Sequence, residues 1–217
     1  MIGKLLHSLA IWLLSDIPGG LGQRLRAHYW RTRFAAFGRN VRIDEGVIFH
    51  NPSQIEVGDD VWIMAYAILT APSPDQGKLA ANKHSEGQTG GRLRIGNEVQ
   101  VGLFSVLNGI GGLKIGNCVT MSARTTVYSA THLPRDPRDA SRLVGGNGMV
   151  RSRPVFSRQR PVHIGDGAWL GLGATVICAN VGKEAFVKSG AIVTVDLPDN
   201  MEYDQRGTIR PRHPVPE

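Results

Sequence analysis

Apolar residues return at every sixth position through most of the chain. The step runs through Phe37, Ile43, Phe49 and Ile55, then Val57, Ile63 and Leu69. It continues at Ile95, Val101 and Leu107, at Ile115, Met121 and Val127, and at Ile164, Leu170 and Val176. After one shorter step it resumes at Val181, Val187 and Val193. Four residues after many of these stands a second small or branched residue: Val61, Ala67, Val99, Ser105, Val119, Thr125, Ala168 and Ala174. A step of six is neither the helical period nor the plain alternation of a strand. It predicts a short strand and a turn, repeated three times per coil around a triangular solenoid. The sixth residue would point inward and the small residue would lie near a corner.

Four segments are versions of one phrase: "IEVGDDVWI" (55–63), "LRIGNEVQV" (93–101), "LKIGNCVTM" (113–121) and "VHIGDGAWL" (162–170). Gly followed by Asp or Asn supplies the positive φ that tight corners need. Stacked coils satisfy each other's backbone groups, as in any solenoid. The distances between phrases exceed whole coils at two places, which predicts excursions near 71–91 and 129–160. Both are rich in Pro, Gly and charge, as loops are, and long loops in a compact repeat are often functional.

The phrases "VHIGDGAWLGLGATVI" (162–177) and "AFVKSGAIVTVDLPDN" (185–200) resemble the hexapeptide-repeat acyltransferases. The lead-in "DIPGGLGQRLRAHYWRTRFAAFGRNVRI" (16–43) is similar to that of the polysaccharide and lipopolysaccharide O-acetyltransferase branch. The resemblance implies an all-β solenoid, a left-handed parallel β-helix. Here it would have a helical N-terminal cap over 1–36, coils over 37–198 and an irregular C-terminal tail over 199–217. It also implies a homotrimer with active sites between subunits, acetyl-CoA as co-substrate, and acetyl transfer to a sugar hydroxyl of a bacterial surface polysaccharide or its precursor.

His132, in "YSATHLPRDP" (128–137), stands where the family's catalytic histidine stands, one coil ahead of Trp169. Its own neighbours would fit a polar loop residue equally well. A neutral imidazole can take the proton of an attacking hydroxyl. Trp169, Gly171, Ala174 and Lys188 are the candidate acetyl-CoA contacts: an indole, two small residues leaving room for a pantetheine arm, and a point charge for phosphate. Each also has a plain reading, as packing, a corner or a solvated cation. His84, in the first excursion, and Arg135 and Arg138, after His132, are the candidate acceptor contacts, or solvated loop residues. The same machinery would serve N-acetylation of a nucleotide-linked amino sugar. A non-catalytic scaffold and a zinc-dependent β-helix are the readings from other classes. The seven histidines do not recur with coil spacing, so no metal site is expected.

The net charge of +7 suits an anionic partner. The Arg-rich second excursion lacks interleaved aromatics, which argues against nucleic acid. Cys118 and Cys178 form no CxxC and read as reduced thiols of a cytoplasmic protein. Residues 3–15 and 21–36 read as two helices, the second basic. They would cap the open end of the solenoid or touch the inner membrane peripherally. The first apolar run, about ten residues, is too short to span a bilayer.

Overall fold

The step of six resolves into a three-sided coil. The computed structural model describes residues 2–73, 83–86, 91–144 and 155–212. Six coils begin at Ala36, Ile55, Leu93, Leu113, Val162 and Val181, a partial seventh begins at Leu197, and their strands stack in parallel into three faces. The first face contains Ala36–Phe37, Ile55–Val57, Leu93–Ile95, Leu113–Ile115 and Val162–Ile164. The second runs from Arg42–Ile43 through Trp62–Ile63, Gln100–Val101, Thr120–Met121, Trp169–Leu170 and Phe186–Val187 to Met201–Tyr203. The third runs from Ile48–His50 through Ile68–Thr70, Val106–Asn108, Thr126–Tyr128 and Thr175–Ile177 to Ile192–Val193. The fold is a left-handed parallel β-helix, mostly β with a small helical N-terminus.

Registration explains the periodicity. Ile63 pairs with Val101, Val101 with Met121 and Met121 with Leu170, so one apolar column fills the interior behind the second face. Those four residues are fully buried, as are Leu69, Leu107, Val127 and Val176 behind the third face. The small second residues sit at the corners, also buried, and the two polar ones are satisfied. Ser105 Oγ accepts from Thr125 N (3.2 Å), and Thr125 Oγ1 donates to Ser122 O (2.7 Å).

The Gly-Asp/Asn phrase turns out to be a hydrogen-bond ladder. At the corner between the first and second faces, each Asp or Asn side chain accepts from the backbone of the preceding coil. Asn97 Oδ1 takes Asp59 N (2.8 Å), Asn117 Oδ1 takes Asn97 N (2.9 Å) and Asp166 Oδ1 takes Asn117 N (2.8 Å). A Cβ on Gly116 would lie 2.4 Å from Asp166 Oδ1, so only glycine lets this rung close.

The cap consists of α1 (Ile2–Ser15) and α2 (Gly19–Arg31). The second helix stops at Arg31, before the expected 36, and the chain turns into the first coil. Trp30 and Phe34 pack on Phe49 at the end of the prism, closing it with aromatic edges. Arg26 is buried and ties the cap together. Its guanidinium donates to Leu14 O (2.9 Å), Ile17 O (2.8 Å) and Ile43 O (2.9 Å). Burial holds its pKa below the ordinary arginine value, and Glu45 offsets this in part. Arg26→Ala would strand those carbonyls. It is expected to cost about 2–4 kcal/mol, or a melting temperature lower by roughly 5–15 °C, read by thermal denaturation.

Two expectations change. The described part of the tail, to Arg212, is strand rather than irregular: Met201–Tyr203 extends the second face, and Ile209–Pro211 returns antiparallel to it. Asp204 Oδ1 accepts from Arg206 N and Thr208 N to close that turn, and Glu202 clamps Arg210. The excursions are likewise not plain loops, because their described parts pair with each other.

Candidate functional site

Both excursions leave the prism at the same edge, between the third and first faces, one after Thr70 and the other after Tyr128. Ala130–His132 pairs antiparallel with Val155–Gln159, which pairs in parallel with Lys83–Glu86. The result is a three-stranded sheet standing off the edge of the β-helix. His132 lies opposite Ser157, and Ser157 lies opposite Ser85. His84 stands opposite Phe156, one position out of that row. Side chains of 83–86 are outside the described residues, as are Arg151 and Arg153 of the second excursion.

The root of this sheet is stapled to the coils. Ser129 is fully buried; its Oγ donates to Asn108 O (2.8 Å) and accepts from Gly111 N (2.9 Å). Arg160, where the second excursion returns, donates its N–H to Ser129 O (2.9 Å). Its guanidinium holds Asp196 through two bonds (2.8 and 2.6 Å). Those bonds draw the Asp196 carboxyl below the usual range. Ala130 and Phe156 are buried beside the root. His132 is therefore an exposed imidazole only three residues from a rigid anchor, on an edge strand open to an incoming ligand.

A hairpin follows, Arg135–Asp136 against Asp139–Leu143. Asp136 accepts from Arg138 N (2.9 Å) and Asp139 from Ser141 N (3.0 Å), so both carboxylates brace the turn. Arg135 donates to Ala140 O (2.9 Å), and the Arg138 side chain is exposed.

The remaining candidates divide. Trp169 projects from the second face, 47% exposed, its Nε1 donating to Ser122 Oγ (3.4 Å). In a three-sided coil the second face lies across the prism from the edge that carries His132. One chain therefore does not bring His132 and Trp169 together. Gly171 and Ala174 need correction as ligand contacts. Ala174 faces the interior with no exposed surface, and a Cβ on Gly171 would meet Ser189 N at 2.6 Å. They are small so that coils can stack. Lys188 is half-buried and ion-paired with Glu202 (3.1 Å). Among the described residues, no group of three His, Cys, Asp or Glu side chains is placed to hold a metal, and no helix is long and apolar enough to cross a membrane.

One cluster was missed. Arg94, Lys114 and His163 stand in register on the outside of the first face. With Arg92 and Asn180 they line a groove of about 430 Å³. The signal was present: each occupies the second position of the coil phrase, in "LRIG", "LKIG" and "VHIG".

No family model matches the chain. It is 30% identical over 191 residues to the bifunctional protein GlmU of Alkalilimnicola ehrlichii, a match covering 84% of this chain and 40% of that protein's length. Solved structures share the fold. AntD, an N-acyltransferase from Bacillus cereus in complex with dTDP and 3-hydroxybutyryl-CoA, superposes with a TM-score of 0.65 at 19% identity, covering 86% of each chain. A maltose O-acetyltransferase from Clostridium difficile 630 superposes with a TM-score of 0.56 at 16% identity, covering 97% of this chain and 84% of the other.

Proposed function

We propose that the chain is an acetyltransferase that moves an acetyl group from acetyl-CoA to a sugar hydroxyl of a bacterial surface polysaccharide or its precursor. The observation that carries this reading is the exposed His132 held on a braced edge strand where the two excursions meet. His132 takes the hydroxyl proton as the oxygen attacks the thioester carbonyl. The resulting oxyanion needs a nearby N–H donor. Its collapse releases the CoA thiolate, which regains the proton from His132, leaving an acetyl ester and free CoA. Arg135 and Arg138, in the hairpin after His132, and His84, on the third strand of the excursion sheet, are the proposed acceptor side of the site.

The proposed assembly is a homotrimer. The outer row of the third face reads Ile48, Ile68, Val106, Thr126, Thr175 and Ile192, without a charge. At the edge between the second and third faces, Tyr66 and Phe104 stack with ring centroids 5.3 Å apart, both about half exposed. A heterologous contact closing threefold would set the third face of one copy on the second face of the next. His132 of one copy then approaches Trp169 of another, with acetyl-CoA between them. The cap would rest on the cytoplasmic side of the inner membrane through Leu9, Trp12 and Leu13, which are exposed on α1.

N-acetylation of a nucleotide-linked amino sugar is the second reading, favoured by the shared fold with AntD. Incubating the protein with acetyl-CoA and a panel of glycans, nucleotide sugars and nucleotide amino sugars tests both. The expected product carries the mass of one added acetyl, and mild alkali removes it. An alkali-stable product would replace the ester by an amide, and no product on any acceptor would defeat the reading.

A further inference from the structure

The column on the first face has the make-up of an anion site. Arg92 and Arg94 both reach one carboxylate, Glu56, the latter at 2.9 Å. Lys114, on the next rung, has no ion-pair partner among the described residues. His163 follows, with Asn180 beside it accepting from His163 N (2.9 Å). Three arginine or lysine charges and a histidine thus face the groove, with Glu56 between the two arginines and Asp166, Asp196 and Asp199 near the His163 end.

The groove's position gives that charge a use. Gly91, Gly112 and Pro161 also line it. Gly91 and Pro161 are where the two excursions rejoin the coils, so the groove opens at the foot of the sheet that carries His132. We infer that this groove binds the diphosphate of a diphosphate-linked sugar, holding it with the sugar directed toward His132. The inference rests on the acetyl-transfer reading for the sugar's fate, and on the groove alone for binding. Adjacent rungs are about 4.8 Å apart, so neighbouring phosphates can engage two of them at once, with Lys114 as a point charge and Arg94 as a fork.

Burial and the neighbouring Lys114 hold the His163 imidazole below its ordinary pKa, with Lys183 acting the same way and Asp166 and Asp199 opposing. A dianion set between His163 and Lys114 would favour the protonated ring, so the His163 resonance should titrate higher when ligand is bound.

The diphosphate has two possible carriers, a nucleotide or a lipid. Uridine diphosphate and geranyl diphosphate, titrated calorimetrically into the full chain, distinguish them, and CoA serves as the third arm. At least one of the two diphosphates should bind, and Lys114→Glu should weaken it about tenfold or more. CoA affinity should change by less than about twofold. Lys114→Ala, with unchanged circular dichroism, should give a smaller loss in the same direction. The inference is overturned if neither diphosphate binds, if Lys114→Glu leaves binding intact, or if CoA is weakened equally. Absence of acetyl transfer alongside intact Lys114-dependent binding would count against the role of His132 and not against the groove.

Discussion

His132→Ala is expected to lower acetyl transfer by about 10²–10⁴-fold, the usual worth of a positioned general base. Its folding stability should stay within about 0.5 kcal/mol of the parent, because the imidazole is exposed and the edge strand is held elsewhere. Ser129, Arg160, Ala130 and Phe156 carry the anchoring. Acetyl-CoA consumption with a competent acceptor, alongside a melting curve, checks both halves. Equal activity in parent and variant would remove His132 from the mechanism. Lost activity together with a lowered melting temperature would make it a structural residue.

A mixing experiment is the second large effect. Trp169→Ala should weaken transfer by about tenfold or more, since an indole covering a ligand is worth on the order of 1.5–3 kcal/mol. Within one chain His132 and Trp169 lie across the prism from each other, so the proposed site draws one from each of two copies. Co-expressing His132→Ala with Trp169→Ala should therefore rebuild about a quarter of the sites in randomly mixed trimers. Activity above the mean of the two separate variants is the expected result. Activity equal to that mean would place both residues in the same site of one chain, or outside any site. Val106→Asp, which sets a charge in the uncharged outer row of the third face, is the control, because it should abolish rescue by keeping the copies apart.

Much of the fold was legible because a solenoid repeats its physical constraints. Each inward position meets the same interior, so Ile63, Val101, Met121 and Leu170 had to be apolar and had to recur. Each corner meets the coil beside it, which is why Gly116 and Asp166 recur as a phrase rather than as isolated residues. Spacing put His132 where a coil becomes an excursion, and its proposed role came from the resemblance to the acyltransferases. The pairing of 83–86 with 155–159 was not legible, since it joins two segments far apart in sequence that share no period. Gly171 and Ala174 were misread because smallness has two causes: room for a ligand, and close approach of the next coil. The Arg94, Lys114 and His163 column could have been read from the phrase itself. A position that alternates outward on every coil must line up in space, whatever residues occupy it.

A solenoid is ordinarily free to change its length, because a coil can be inserted or lost with only neighbouring contacts disturbed. The sheet built by the two excursions removes that freedom locally. It bridges the coils that begin at Ile55 and Leu113, with the coil that begins at Leu93 lying between their points of departure. Inserting a coil there would carry the two strands apart by about 4.8 Å and break their pairing. Lengthening beyond Val181 would leave the sheet untouched. The chain can therefore diversify at its C-terminal end while the stretch from Ile55 to Val162 behaves as a unit of fixed size.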